Sequence, residues 1–298
     1  IVSIHYTMSI SRQNLTIVIV TLKSENIIHQ CIKSINQDIP IIVVENSTNH
    51  KFKEGLESKY KNLKCVLSKS NLGMGAGNNI GIKLAKTDYV LILNPDVKLE
   101  PNTLNELYSA SKKLSEFSII APIESNTNFP NYGMLNKRKK IEIDQSPFQV
   151  DYVDGFAMLL NKRKFKNDIY FDENFFLYLE NNDLCLNVKR QGGSVFVIPA
   201  AKINHIGSQT VDIKYKNEVE LSRNWHWVWS KFYFNKKNYS FLKAINESLL
   251  IYISALLKFL FYFVVNNNFK KKIYFNRASG FYNALTGKSS WYRPNLED

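Results

Sequence analysis

The sequence predicts an α/β fold with a mostly parallel central sheet flanked by helices, and a helical appendage at the carboxy terminus. Two observations carry this prediction. Short β-branched runs alternate with segments of helical periodicity between Leu15 and Leu93, which is typical of a sheet covered on both faces. After about residue 215 the composition changes to clustered aromatics and a long apolar stretch. We therefore expect a leader over 1–13 that is disordered or artefactual, an α/β domain over 14–215 and a helical segment over 216–298.

The individual elements follow from local patterns. The run Leu-Thr-Ile-Val-Ile-Val at the start of the domain is typical of a strand buried on both faces. Similar short runs predict further strands over 39–44, 63–67, 89–93, 152–160 (interrupted by Gly155) and 195–198. Apolar residues at helical spacing predict helices over 25–36, 52–60, 80–85 and 179–191. The stretch 117–147 is irregular, and we expect its basic run, Lys137–Lys140, to be a solvated loop with acceptor contact as the alternative.

Charge and cysteine usage narrow the possible partners. The 298 residues carry 39 basic and 26 acidic side chains, a net charge of +13. This excess favours an anionic partner, which could be a phosphate-bearing ligand, a membrane surface or a nucleic acid. The three cysteines, Cys31, Cys65 and Cys185, are widely spaced without a CxxC pair. A disulfide framework or zinc site is therefore not expected, and a reducing compartment fits best.

One candidate metal ligand follows the strand predicted over 89–93. Asn94, Pro95 and Asp96 come directly after this buried run. Ligands of such sheets bind beyond the carboxyl ends of the strands, and a carboxylate there suits a hard divalent cation that bridges phosphates. The alternative is a turn-forming aspartate after a proline.

A second group of polar residues opens the helix predicted over 179–191. Glu180 and Asp183 are three residues apart and would share a face of its first turn. Aromatic neighbours would raise the pKa of a carboxyl group and improve it as a base. The alternative is acidic capping of a helix amino terminus. Further along, His205 could bind a metal or a phosphate, or be structural.

The Gly-rich segment Asn71–Asn79 leads into a predicted helix. Its glycines would let the backbone approach a ligand, and a helix amino terminus favours phosphate. The segment matches neither the GxGxxG fingerprint nor the GxxxxGK[ST] loop. A dinucleotide-dependent dehydrogenase and a P-loop NTPase are therefore both disfavoured.

Taken in order, these motifs resemble the family 2 glycosyltransferases, especially the rhamnosyltransferase-like branch of bacterial surface-polysaccharide synthesis. The resemblance runs from about Leu15 to Thr210, and the order and spacing of its pieces are more specific than any single piece. The matching pieces are IVIVT (17–21), VVENS (43–47), NLGMGAGNNIG (71–81), LNPDV (93–97), VDGFAM (153–158), FDENFFLYLENNDLCL (171–186) and PAAKINH (199–205).

The resemblance implies a GT-A fold and inverting transfer from a nucleotide-diphosphate sugar, a dTDP- or UDP-sugar, with Mn²⁺ or Mg²⁺ as cofactor. It implies that Asp96 and His205 hold the metal. It also implies that the nucleotide is bound by Thr21, Glu45, Asn46, Asn71, Gly73, Asn79 and Asn94. The acceptor would be a glycan or a lipid-linked glycan, handled on the cytoplasmic side of the cell membrane by a peripheral enzyme. Nucleic acid is not expected as a partner.

Two departures from the family pattern affect the chemistry. Relatives usually read Glu-Asp-x-Asp in the catalytic segment, and Asn181 stands where the base is expected. An amide cannot accept the proton, so either Asp183, slightly preferred, or Glu180 is the base. Otherwise the chain is a catalytically impaired homologue that binds nucleotide sugars or glycans. Asn78 stands where many relatives carry Arg. A nucleotidyltransferase is disfavoured because Thr21-Leu-Lys-Ser does not supply a triphosphate loop.

The carboxy-terminal segment contains a nearly unbroken apolar stretch, Leu249–Val265, with Lys258 inside it and Lys270–Lys272 after it. Its length is at the lower limit for a membrane span, and the internal lysine argues against one. We predict a helix pair that lies on an anionic membrane surface. A true span and a soluble helical appendage are the alternatives.

Overall fold

A computed structural model describes residues 13–35, 38–114, 116–134, 144–207 and 213–296. The predicted leader, up to residue 12, and the basic run Lys137–Lys140 lie outside the described residues. The chain divides into two compact units. Unit 1 holds the described residues of 1–70, 77–170 and 184–210, and unit 2 holds those of 71–76, 171–183 and 211–298. The predicted domain limits, 14–215 and 216–298, stay a prediction.

Unit 1 is built on a nine-stranded sheet in the order β3-β2-β1-β4-β10-β6-β11-β5, with β8 also paired to β11. Six strands run in one direction, while β10, β5 and β8 run against them. A separate pair of two-residue strands consists of β7 and β9. The predicted mostly parallel α/β sheet is thus confirmed. The strands are β1 (Leu15–Thr21), β2 (Ile41–Glu45), β3 (Leu63–Leu67), β4 (Tyr89–Leu93), β5 (Val97–Leu99), β6 (Ile119–Glu124), β7 (Tyr132–Gly133), β8 (Phe148–Gln149), β9 (Tyr152–Val153), β10 (Ala157–Asn161) and β11 (Val195–His205).

The helices of the first two-thirds of the chain connect these strands. They are α1 (Ile28–Ser34), α2 (His50–Lys59), α3 (Met74–Leu84), α4 (Thr103–Lys113) and α5 (Glu180–Arg190). Every residue of β1, β2 and β4 is buried, as their β-branched runs predict. Asn49 caps α2 by accepting a hydrogen bond from the Phe52 amide at 3.0 Å.

The helix α3 begins at Met74, inside the segment interpreted as a Gly-rich loop, rather than near residue 80. A Cβ on Gly77 would lie 2.8 Å from Val20 Cγ1, and one on Gly81 would lie 2.3 Å from Val18 Cγ1. These glycines therefore let the helix approach β1 closely. The prediction was wrong here because glycine lowers helix propensity, whereas close packing compensates for that loss.

Unit 2 contains three long helices, α6 (Lys216–Asn238), α7 (Phe241–Val264) and α8 (Asn268–Leu285). Their apolar core includes Trp225, Phe232 and Phe281. A Cβ on Gly280 would lie 2.3 Å from the Trp225 carbonyl oxygen, so α8 approaches the α6 backbone closely at this glycine. The predicted carboxy-terminal helices are confirmed; Trp225, Trp229 and Phe232 of α6 belong to this core, whereas Trp227 is exposed.

Candidate active site

The carboxyl ends of β1 and β2 bring together three residues predicted to bind the nucleotide. The register pairs Thr21 with Glu45, and the Asn46 amide donates to the Thr21 carbonyl at 2.8 Å. The Glu45 carboxylate is fully buried and accepts hydrogen bonds from the Thr21 hydroxyl and from the Ser47 amide, the latter at 2.7 Å. Burial raises the pKa of Glu45, and the hydrogen bonds from Ser47 and Thr21 oppose this rise. Glu45 therefore orders this sheet edge, and its nucleoside contact stays a prediction.

Asparagine oxygens in unit 1 supply acceptors that the described protein does not use. The Oδ1 atoms of Asn78 and Asn94 are buried without a hydrogen-bond partner in the described chain. Asn79, on the same helix as Asn78, is buried as well. Buried acceptors are almost always satisfied in native structures, so unpaired ones point to a ligand or a water.

The two predicted metal ligands lie side by side because of strand pairing. The antiparallel register of β5 and β11 pairs His205 with Val97, the residue after Asp96. His205 Nε2 lies 3.4 Å from Asp96 Oδ1, and the His205 ring stacks on Phe156 with a centroid distance of 4.0 Å. Asp96 is 2% exposed, and within the described chain neither of its carboxylate oxygens accepts a hydrogen bond.

These two side chains fit a hard divalent cation. A buried carboxylate without hydrogen bonds is unfavourable unless a cation compensates its charge. Adjacent ligands of an octahedral ion with bonds of about 2.1 Å are separated by about 3 Å, close to the spacing of these two atoms. Across the described residues, no group of three or more His, Cys, Asp or Glu side chains is arranged to hold a metal. The remaining ligands would therefore be waters and substrate phosphates, as is common for Mg²⁺ sites.

Asp154 is a titratable residue near this pair that received no role in the sequence interpretation. Burial raises the pKa of Asp154, and the charge of His205 opposes the rise. Asp154 lies in the Val-Asp-Gly piece of the family resemblance, so a signal for it existed in the sequence. Its position indicates that the charge around His205 depends on more than Asp96.

The predicted ligand residues Asn71 and Gly73 belong to unit 2, where Gly73 packs against the 171–183 segment. Gly73 has φ +86°, and a Cβ there would lie 2.2 Å from the Phe176 carbonyl oxygen. Arg293 places its guanidinium 3.8 Å from the centroid of the Phe176 ring and donates to the Asn71 carbonyl at 3.2 Å. The structure thus provides a packing reason for Gly73, and the predicted nucleotide contacts of both residues remain untested.

Glu180 is a buried carboxyl group at the start of α5, and its role as a base stays a prediction. It is the first residue of α5 and is 8% exposed, and its Oε2 atom has no hydrogen-bond partner among the described residues. Burial raises its pKa to about 7. Tyr178 and Leu179, directly before it, both adopt left-handed backbone conformations, with φ of 71° and 67°. Such conformations are energetically unfavourable for non-glycine residues and cluster at functional sites.

Asp183 lies on the same turn of α5, but unlike Glu180 Oε2, both of its carboxylate oxygens have hydrogen-bond partners. It is 1% exposed, and Lys237 Nζ lies 2.7 Å from its Oδ2. Asn238 Nδ2 donates to its Oδ1 at 2.8 Å. Lys237 also contacts Asp172 Oδ2 at 2.7 Å, so one ammonium bridges two carboxylates. Because both oxygens of Asp183 have protein donors, these contacts favour Glu180 over Asp183 as the base.

Lys237 is a residue that the sequence interpretation missed. It lies 54 residues after Asp183, within an aromatic and basic helix that carries no motif. Burial lowers the pKa of Lys237, but its hydrogen bonds to Asp172 and Asp183 raise it more, so the side chain is held as a cation. Burial raises the pKa of Asp172, but the hydrogen bonds from Lys237 and Asn174 and the charge of Lys237 together outweigh it, so this pKa is lowered.

Comparison with known proteins identifies the family. Residues 16–169, more than half of the chain, match the family described as glycosyl transferase family 2. The chain belongs to glycosyltransferase family 2. The enzyme is therefore a glycosyltransferase, as the resemblance implied.

Curated relatives agree with the rhamnosyltransferase-like character of the enzyme. It is 27% identical over 296 residues to the low-salt glycan biosynthesis hexosyltransferase Agl10 of Haloferax volcanii, covering 92% of this chain and 91% of the relative. It is 28% identical over 218 residues to rhamnosyltransferase WbbL of Escherichia coli K12, covering 63% of this chain and 82% of the relative. It is 19% identical over 203 residues to N-acetylglucosaminyl-diphospho-decaprenol L-rhamnosyltransferase of Mycobacterium tuberculosis, covering 56% and 66%.

Solved structures confirm the GT-A fold of the glycosyltransferase. GalNAc-T7, crystallised with UDP, GalNAc and Mn²⁺, superposes with a TM-score of 0.55 at 15% identity, covering 75% of this chain and 50% of that one. Residues 1–349 of S. aureus TarS superpose with a TM-score of 0.50 at 14% identity, covering 96% and 94%. At such identities the likeness concerns the fold alone.

The predicted site residues of the enzyme are thus divided between the two units. Unit 1 brings together Thr21, Glu45 and Asn46 at one sheet edge and places Asp96 beside His205. Asn79 and Asn94 belong to the same unit, while Asn71, Gly73, Glu180 and Asp183 belong to unit 2. The assigned roles of these residues remain predictions.

We expect Lys237→Met to lower the free energy of unfolding by about 1–3 kcal/mol, because the substitution leaves buried Asp183 without its cation. This range allows for solvent screening, since the Lys237 side chain is 30% exposed. The pKa of Asp172 is lowered in the folded state, so its contribution is present at neutral pH and is lost as pH falls below about 4. Denaturant unfolding at pH 7 and pH 3 should therefore show a smaller difference between variant and wild type at pH 3.

Lys236→Met is the matched control, since Lys236 is the exposed neighbour of Lys237. This control should unfold like the wild-type enzyme at both pH values. Equal stability of Lys237→Met and the control at pH 7 would show that the bridge contributes nothing.

Proposed function

We propose that the enzyme transfers a sugar with inversion from a nucleotide-diphosphate donor, a dTDP- or UDP-sugar, to a glycan or lipid-linked glycan of a cell-surface polysaccharide. The observation that carries the proposal is the buried Glu180 carboxyl, with an unpartnered oxygen and a pKa of about 7. Inverting transfer requires one base that takes the proton of the acceptor hydroxyl. A base whose pKa lies near the working pH is the most effective.

On the donor side, Asp96 and His205 would hold a Mn²⁺ or Mg²⁺ ion. The partnerless oxygens of Asp96 and the 3.4 Å spacing to His205 Nε2 support this assignment. When bound, the ion would offset the negative charge that develops on the departing diphosphate. Phe156 stacks on the imidazole and fixes its orientation. The Oδ1 atoms of Asn78 and Asn94 would accept hydrogen bonds from hydroxyl or amide groups of the donor.

On the acceptor side, Glu180 would accept the hydroxyl proton as the oxygen forms its new bond to the anomeric carbon. Asp183 is the second candidate, and its contacts with Lys237 and Asn238 count against it. The catalytically impaired alternative rests on Asn181 alone. Glu180 removes the need for an aspartate at that position, so an active enzyme is the better supported proposal.

A cytoplasmic location on the inner face of the cell membrane is supported by the cysteines, the apolar helix α7 and the name of one relative. Cys31, Cys65 and Cys185 are all buried free thiols, as expected in a reducing compartment. The helix α7 is long and apolar enough to cross a membrane by length and composition. The mycobacterial relative acts, by its name, on a decaprenol-linked sugar, which supports a lipid-linked acceptor for this enzyme as well.

A thermal-shift screen of nucleotide sugars with and without Mn²⁺ tests the donor assignment. We expect one dTDP- or UDP-sugar to stabilise the enzyme by about 2.7 kcal/mol at a hundredfold excess over its Kd, and to do so only with metal. NMR of the product made from an α-linked donor should then show a β-linkage. A retained α-configuration would contradict inversion, and donor binding without transfer to any acceptor would favour the impaired homologue.

A further inference from the structure

The α7–α8 hairpin (Phe241–Leu285) exposes many apolar side chains. In the most apolar 18-residue stretch of α7, only 11% is buried. The buried residues of α7 are small, namely Ala244, Ser248 and Ala255. Exposed apolar patches of this kind mark interaction sites. We call the exposed set at the turn of the hairpin the hairpin tip, and its members are Leu260, Phe261, Phe263, Val264, Val265 and Phe269.

The packing of α7 decides how this surface can meet a membrane. At 24 residues, α7 is about 36 Å long, which would suffice to cross a bilayer. However, α7 is tied to α8 along its length by ring contacts. Tyr262 stacks on Tyr274 with a centroid distance of 5.5 Å, and Tyr252 stacks on Phe281 at 4.6 Å. A spanning α7 would have to leave α8 or draw its charged residues into hydrocarbon, and both are unfavourable.

The charge of the hairpin identifies the chemistry of its partner. Lys243, Lys258, Lys270, Lys271, Lys272 and Arg277 are its basic residues, and Glu247 is its only acidic residue in the sequence. Glu247 contacts Lys243 at 2.9 Å and Lys231 at 3.4 Å, far along the chain from the hairpin tip. Lysines next to an exposed apolar surface match a bilayer with anionic headgroups. Two copies of the same cationic hairpin would repel each other, which disfavours a dimer through this surface.

We propose that the exposed face of the α7–α8 hairpin inserts into the headgroup region of an anionic bilayer, with α7 lying along the membrane rather than crossing it. The hairpin tip supplies the apolar contacts, and Lys270–Lys272 supply the attraction to phosphate headgroups. This placement deepens the membrane association proposed above. Its test uses binding and not sugar transfer, so its failure is distinguishable from failure of the proposed reaction.

Sedimentation of the full chain with vesicles tests the surface. We expect binding to phosphatidylcholine vesicles that contain about one third phosphatidylglycerol, weaker binding to phosphatidylcholine alone, and release by high salt. The double variant Lys270→Gln/Lys271→Gln should lose about fivefold in partitioning for each lysine. The double variant Phe263→Ser/Val264→Ser should lose at least as much. Phe129→Ser/Ile169→Ser is the matched control, because both residues are exposed in unit 1, and it should bind like wild type.

Three results would overturn the proposal. The first is that wild-type protein does not bind anionic vesicles, or binds both vesicle types equally. The second is a lipid-free dimer in gel filtration that Phe263→Ser/Val264→Ser abolishes, which would assign the surface to a second copy of the chain. The third is retention in cell membranes after alkaline carbonate extraction, which would assign α7 as a span. Release by carbonate supports the interfacial placement.

Discussion

Glu180→Gln should reduce sugar transfer by about 100- to 10,000-fold, because an amide cannot accept the proton of the acceptor hydroxyl. The substitution keeps the shape of a side chain that is 8% exposed, so the fold should persist. Donor binding should be unchanged, and the loss should lie in kcat. Steady-state kinetics with purified enzyme and a thermal-shift titration with donor would measure both quantities.

The matched control is Glu173→Gln, which makes the same chemical change at an exposed position of the 171–183 segment. It should transfer sugar at the wild-type rate. Asn181→Asp adds the carboxylate that relatives carry, and no gain in rate is expected if Glu180 is already the base. A large gain with Asn181→Asp, or transfer by Glu180→Gln within threefold of wild type, would contradict the assignment.

The pH profile provides an independent check of the same group. A general base must be deprotonated, so kcat should rise with pH through about 7, the pKa to which burial raises Glu180. This rising limb should disappear in Glu180→Gln. A limb near the ordinary pKa of an aspartate, about 4, would point to a carboxylate that is not shifted by burial.

Asp96→Asn should have effects of opposite sign on activity and stability. We expect transfer to fall by at least about 100-fold, a typical loss when one electrostatic contact to the developing charge is removed. In metal-free buffer, however, the variant should be at least as stable as wild type. The reason is that Asp96 is 2% exposed and its oxygens accept no hydrogen bond from the described chain. Mn²⁺ should raise the Tm of wild type but not that of the variant.

Asp88→Asn controls for the loss of one negative charge. Asp88 directly precedes β4, whereas Asp96 follows its other end, and the Asp88 carboxylate lies 3.7 Å from Arg163 Nε in a half-exposed ion pair. This control should keep its response to Mn²⁺. Full activity of Asp96→Asn with added metal, or a Tm clearly below that of wild type without metal, would show that the carboxylate is structural.

The fold and the donor-side candidates were largely predictable because their signals are local. The β-branched run that becomes β1, and the bounds of β3 and β4, could be predicted from a few adjacent residues. Asp96 is a candidate on sequence alone because it follows such a strand. The early start of α3 was missed, since it depends on Val18 and Val20 facing two glycines from a separate element. The strand β6 was missed because Pro122 interrupts its apolar run.

The sequence by itself determined the class of the protein: an α/β glycosyltransferase scaffold followed by an apolar, basic helical tail. Tertiary structure decided the properties that arise between residues far apart in the chain. The pairing of β5 with β11 places His205 beside Asp96. The ammonium group of Lys237 donates a hydrogen bond to Asp183, although the two residues are 54 positions apart in the chain. Hydrogen bonding then distinguishes the two buried carboxylates: Lys237 and Asn238 contact both oxygens of Asp183, whereas the Oε2 atom of Glu180 has no partner among the described residues. No local pattern encodes this distinction, because the pKa of a carboxyl group depends on the atoms that replace water around it.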